Sequence, residues 1–244
     1  MSIPSKFLPR SVVIVFGNPK GGVGKTTIAV NLAAVLAKDY GAKVVLVDGE
    51  KNGTLSTFAF DAGMENRPDI RVGYNTNLAA DLAMLKAFYD VVIVDTAGIT
   101  PGFSDDDGEA IGGQERVSLV ALSQADLLLV PVTPSPADIR KTVAFLPTVE
   151  KWMIMRDGKL KGAMILNEVK PNQKLTGMVR EAIDGQFDFL PVMRQDIRES
   201  TVVKQSFGVG LGVVDYLPRH AVSHEYRQLG QEITALLHSH LLAD

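Results

Sequence analysis

No cysteine occurs among the 244 residues, which excludes disulfides, thiolate metal sites and cysteine-ligated iron–sulfur clusters. No apolar run is long enough to span a bilayer. The opening MSIPSKFLPRSVVIVF lacks the long apolar core and small-residue cleavage site of a secretion signal, so a cytoplasmic protein is expected. Neither sign of charge dominates. The formal net charge is −3, which advertises no bulk affinity for nucleic acid but leaves room for a local basic patch. Repeats, low-complexity tracts and linkers are missing too. With 46% hydrophobic and 22% charged positions the chain can build a real core, and a single domain over 1–244 is expected.

What is present is a series of short apolar runs. SVVIVF (11–16), AKVVLVD (42–48), YDVVIVD (89–95), ADLLLVPV (125–132) and GAMILN (162–167) do not alternate with polar residues. That is the pattern of strands covered on both faces. Helical stretches separate them. KTTIAVNLAAVLAKDYG sets Ile28, Leu32, Val35 and Leu36 on one stripe and ends at Gly41. Ser135, Pro136 and Asp138 supply a cap, a first-turn proline and a carboxylate for another helix. This alternation predicts an α/β fold, a doubly wound, mostly parallel sheet with helices on both faces. The glycine- and acid-rich stretch 97–115 reads as a mobile loop between two strands.

Between the first strand and the first helix lies GNPKGGVGKTT (17–27). Glycines there let backbone N–H groups turn toward a phosphate, and the following helix aims its positive end at the anion. Lys25 would reach the β- and γ-phosphates, and the Thr26 hydroxyl would ligate Mg²⁺. Gly21, Gly22, Val23, Gly24 and Thr27 complete the nucleotide-binding cradle. The general phosphate-loop pattern has glycine where this chain has Pro19. A second lysine, Lys20, has no task in a plain cradle. Asp95 ends a strand at the sheet edge where open α/β folds bind ligands, and it can hold a Mg²⁺-bound water. Asp48 and Glu50, in VDGEKNG, follow another strand end. Such carboxylates can orient a water for attack on the γ-phosphate; a solvated acidic turn would have the same composition.

KGGVGKTT resembles the deviant phosphate loop of the ParA/MinD family of ATPases, whose extra lysine precedes the glycine pair. FGNPKGG, PVTPSPADI (131–139) and VVKQSFGVGLGVVD (202–215) are similar to the small ParF-type plasmid-partition ATPases. The resemblance spans nearly the whole chain. It implies an ATPase using ATP and Mg²⁺ that packs face to face as a homodimer when loaded. Lys20 would then reach across to the partner's nucleotide, its charge offsetting phosphate repulsion in a dry interface. Glu50 stands where the family usually has the aspartate that positions water. The extra methylene either keeps that role with altered geometry or leaves hydrolysis very slow. The resemblance also places Asn167 against the adenine, with Pro191 and the rest of 191–194 on the other side of the base. An asparagine ending a strand also serves plain turn chemistry.

Two surfaces follow from the same resemblance. The dimer would bind non-specific DNA through C-terminal basic residues, with Arg194, Arg198, Lys204, Arg219 and Arg227 as candidates. Asp196, Glu199, Asp215 and Glu225 are interleaved among them, as on a solvated mixed surface. A centromere-binding adaptor would stimulate hydrolysis, and the protein would be nucleoid-associated in the cytoplasm. The alternatives are a related switch that positions a protein assembly or secretion complex, and a nucleotide-dependent scaffold with negligible turnover. MinD-type relatives carry a basic amphipathic membrane helix. Here RQLGQEITALLHSHLLAD has an apolar stripe at Leu229, Ile233, Leu236 and Leu237 and no Lys or Arg after Arg227. A helix docked on its own core is expected, and membrane binding is not.

Overall fold

The computed structural model describes residues 7–51, 53, 55, 58, 67–73, 77–98, 113–170, 174–183 and 187–242. Six strands form one sheet: β1 (Val12–Phe16), β2 (Val44–Asp48), β3 (Asp69–Val72), β4 (Val91–Asp95), β5 (Leu127–Val132) and β6 (Lys161–Leu166). Their order is β3-β2-β4-β1-β5-β6, and every adjacent pair is parallel. The chain winds from β1 toward the β3 edge, returns through β4 beside β1, and continues outward through β5 and β6. The loop after β1 therefore sits where the winding reverses, the usual ligand crevice of such sheets.

Both faces are covered, which explains the unbroken apolar runs. Val12, Ile14 and Phe16 of β1 join one core, and Val13 and Val15 join the other. The first core is closed by α1 (Lys25–Tyr40), α6 (Thr201–Gly208), α7 (Val213–Tyr216) and α8 (Ala221–Leu241). The second is closed by α2 (Leu78–Leu85), α3 (Gly113–Gln124), α4 (Pro136–Met155) and α5 (Lys174–Ile183). The stripe foreseen on α1 is only part of its buried surface: every residue from Ile28 to Ala37 is buried. The reason is α8, which lies over its outer side with Leu229, Ile233 and Leu237 in the same core. Ala29, Ala33, Ala34 and Ala37 keep α1 slim enough to be enclosed. The C-terminal stripe thus docks on its own protein, with Leu236 only partly buried. Among the described residues no helix is long and apolar enough to cross a membrane.

The start of α4 follows its sequence signal. Ser135 Oγ accepts from the Asp138 N–H at 3.2 Å, and Pro136 occupies the first turn. Two features differ from expectation. The sequence pattern does not announce β3, because this short strand, Asp-Ile-Arg-Val, pairs only with β2 among the described residues and is half exposed. The stretch 97–115 is not loop to its end, since α3 opens at Gly113. Positions 99–112 lie outside the described residues.

Candidate functional site

The loop after β1 is anchored before its glycines begin. Asn18 is buried, and its amide nitrogen donates to the Pro131 carbonyl at 2.8 Å and to Thr142 Oγ1 at 3.1 Å. Its Oδ1 accepts from the Lys20 N–H at 2.9 Å, so one side chain ties the loop to β5 and α4. Gly22 and Gly24 adopt φ of +77° and +91°, a region that side chains rarely enter. Gly24 caps α1 without any side-chain hydrogen bond. The first-turn N–H groups of α1 are thereby left to an anion, with the helix dipole behind them.

Lys25 is buried at the start of α1, and its Nζ donates to the Lys20 carbonyl at 3.2 Å. Burial pushes its ammonium pKa down, against the charges of Asp95 and Glu50. Asp95 is 1% exposed at the end of β4. Its Oδ2 accepts from Thr26 Oγ1 at 2.5 Å, and its Oδ1 is buried with no hydrogen-bond partner among the described residues. Burial pushes the carboxyl up to about 7; Glu50 and Asp48 add to the rise, while Thr26 and Lys25 oppose it. A buried carboxylate oxygen left unpaired beside a hydroxyl is a donor set suited to a hard divalent cation. Thr26 and Asp95 therefore fit Mg²⁺.

Two adjacent acids take different positions. Asp48 is buried, and its Oδ1 accepts from the Glu50 N–H at 3.1 Å, shaping the turn after β2. Glu50 is only partly buried, and its charge acts on both Lys25 and Asp95. Lys20 points elsewhere. Its ammonium pairs with the buried carboxylate of Asp138 on α4, which also accepts from Thr133. Burial by itself would raise the Asp138 carboxyl, but the hydrogen bonds from Lys20 and Thr133 and the Lys20 charge hold it below its ordinary range.

Asn167 follows β6, and its amide donates to the Val23 carbonyl at 2.9 Å. It lines a cleft with Thr27, Ile197, Ser200, Val203 and Tyr226. Pro191 is not among the residues that line this cleft. Pro191 is exposed, and its carbonyl accepts from the Met164 N–H at 2.9 Å, halfway along β6. The chain then follows the edge of β6, with Ile197 N–H donating to Leu166 at 2.9 Å, before it reaches the carboxyl edge. Residues 197–200 line the cleft beside Asn167.

The five basic candidates have different surroundings. Arg198 and Lys204 line the Asn167 cleft, and Arg198 Nε is paired with Glu225 at 2.5 Å. Arg227 pairs with Asp39 at 2.8 Å and donates to the Pro218 carbonyl, next to the exposed Arg219. Arg194 is exposed, with its backbone N–H on Glu232. Asn18 and the carboxylate role of Asp138 escaped the sequence reading. Asp138 was legible only as part of a helix start, and a buried asparagine ahead of a proline was the sole sign of Asn18.

This geometry has counterparts. Residues 14–206 match the CobQ/CobB/MinD/ParA nucleotide binding domain. The chain belongs to this family. It is 25% identical over 227 residues to Maintenance of carboxysome distribution protein A of Halothiobacillus neapolitanus, covering 92% of this chain and 97% of that protein. It is 26% identical to the chromosome-partitioning ATPase Soj of Thermus thermophilus, over 91% and 95% of the two chains. The fold matches septum site-determining MinD of Pyrococcus horikoshii, solved with Mg-ADP, at a TM-score of 0.66 and 17% identity over 94% of this chain and 98% of that one. A Cyanothece McdA–ATP complex matches at 0.66 and 18% identity, over 92% and 96%.

Proposed function

We propose that the chain is a slow, Mg²⁺-dependent ATPase that dimerises face to face when loaded with ATP. The dimer holds non-specific DNA and segregates plasmid or chromosomal DNA, and a centromere-binding partner stimulates hydrolysis and release. The observation that carries this reading is the division between two lysines of one loop. Lys25 is buried at the start of α1 among Asp95 and Glu50, while Lys20 is held on α4 by Asp138. A lysine kept paired away from its own phosphate cradle suits a task at a second subunit. Dimerisation then exchanges the Asp138 carboxylate for the partner's more highly charged phosphates.

Within one subunit, Lys25 and the loop N–H groups hold the β- and γ-phosphates. Thr26 and Asp95 would hold Mg²⁺, which supplies positive charge where the phosphate charge is densest. Glu50 orients the attacking water, and Asp48 keeps Glu50 in place through its backbone. The base lies in the cleft between Asn167 and 197–200. Glu50→Ala should keep ATP and the dimer but slow single-turnover hydrolysis by about 100-fold. An unchanged rate would remove Glu50 from the mechanism and make Asp48 the next candidate.

A second reading gives the same switch a protein assembly as cargo. It is supported by the similarity, over 92% of this chain, to a protein named for carboxysome distribution. Mobility shift of unrelated duplexes at low salt, with an ATP analogue or ADP, decides between the two. Binding only with the analogue supports DNA segregation, and no binding in either state supports the protein cargo.

A further inference from the structure

Asn167 holds two parts of the molecule at once. Its backbone N–H donates to the Val132 carbonyl at 2.8 Å, fixing it immediately after β6. Its side chain is buried, and its amide reaches the Val23 carbonyl inside the phosphate loop at 2.9 Å. A carbonyl accepts and cannot donate, so the partner itself settles which end of the amide faces the loop. A Cβ on Gly24 would overlap that amide nitrogen, so the loop is shaped around the asparagine as well as around an anion. Nearer its start, Asn18 ties the same loop to Pro131 and Thr142. The phosphate loop is suspended between two buried amides.

We infer that Asn167 is a positioning residue for the phosphate loop. By holding the Val23 carbonyl it sets the neighbouring N–H groups that meet the phosphates, and it ties the cleft it lines to the phosphate site. This rests on the loop being an ATP site. An asparagine that merely contacted the base would have no effect on a ligand without one.

The test titrates Mg²⁺-ATP, Mg²⁺-ITP and Mg²⁺-tripolyphosphate into the wild-type chain, Asn167→Ala and Asn167→Leu by calorimetry. Each protein is used at a temperature where circular dichroism shows it folded. All three ligands should weaken by a similar factor in Asn167→Ala, about fivefold, the worth of one hydrogen bond of roughly 1 kcal/mol. Asn167→Leu fills a similar space without a donor and should also weaken all three, which keeps the test open if Asn167→Ala does not fold. A loss confined to ATP, with tripolyphosphate unchanged, overturns the inference and leaves Asn167 as a base contact. A lowered melting temperature with all three constants unchanged overturns it as well, because that marks a residue supporting only the fold. If the wild-type chain binds none of the three, the ATP-site reading fails, and the inference with it.

Discussion

The carboxyl edge of the sheet and the outer surface of the C-terminal segment both carry many charges, and they differ in what those charges face. At the sheet edge each polar group is aimed by a strand end or a first helical turn. Asp48 and Asp95 sit opposite one another at the ends of β2 and β4, and Thr26 meets Asp95 from α1. The charges there are buried, and the Asp95 carboxyl keeps one oxygen without a partner among the described residues. On the C-terminal surface Arg198 and Arg227 are already answered by Glu225 and Asp39. Buried, incompletely answered charge marks a site waiting for a ligand; exposed, paired charge contributes little and is screened by salt.

Substitutions at the two regions should therefore differ in scale. Lys25→Ala has the largest expected effect, a loss of about 100-fold in ATP affinity, since it removes charge-assisted hydrogen bonds from a desolvated site. Equilibrium titration with a fluorescent ATP analogue measures it. Asp95→Asn should weaken Mg²⁺-dependent ATP binding by about tenfold while raising the melting temperature of the nucleotide-free chain by roughly 2–6 °C. The sign follows from protons. The folded Asp95 carboxyl keeps its proton up to about 7, whereas an unfolded aspartate releases it near ~4. Wild-type stability is thus lost as pH rises through that window, and the melting difference should grow from about pH 4 to pH 7.

The outer surface should respond more weakly. Lys204→Glu and Arg219→Glu, both exposed and without an ion pair among the described residues, should each weaken DNA binding about three- to fivefold at low salt. Arg227→Ala should change it by less than about twofold, because that guanidinium is already committed to Asp39. Mobility shifts at two salt concentrations check both. An Arg227 effect larger than the Lys204 effect would break the contrast.

The same contrast explains what could be read from the sequence. Buried strands carry unbroken runs such as VVIVF because two cores cover them, and the glycine loop has a spacing set by phosphate geometry. Both were legible. The edge strand β3 was not, since a half-exposed strand paired on one side needs no apolar run. Asp138 was legible as a helix start but not as the partner of Lys20, since that contact joins residues distant in sequence. Pro191 lies beside the middle of β6 because its carbonyl accepts from the Met164 N–H, a pairing that no local pattern encodes. The basic residues were named from a resemblance, which does not say that Arg198 faces Glu225.

The central claim is that two lysines of one loop serve two different nucleotides. Light scattering with a non-hydrolysable ATP analogue tests it on the wild-type chain, Lys20→Ala and Lys25→Ala, with analogue binding measured in parallel. The account requires a wild-type dimer with the analogue and a monomer with ADP. Lys20→Ala should still bind the analogue, within about tenfold of wild type, yet remain monomeric, whereas Lys25→Ala should lose binding itself. A Lys20→Ala protein that dimerises like the wild type would contradict the account.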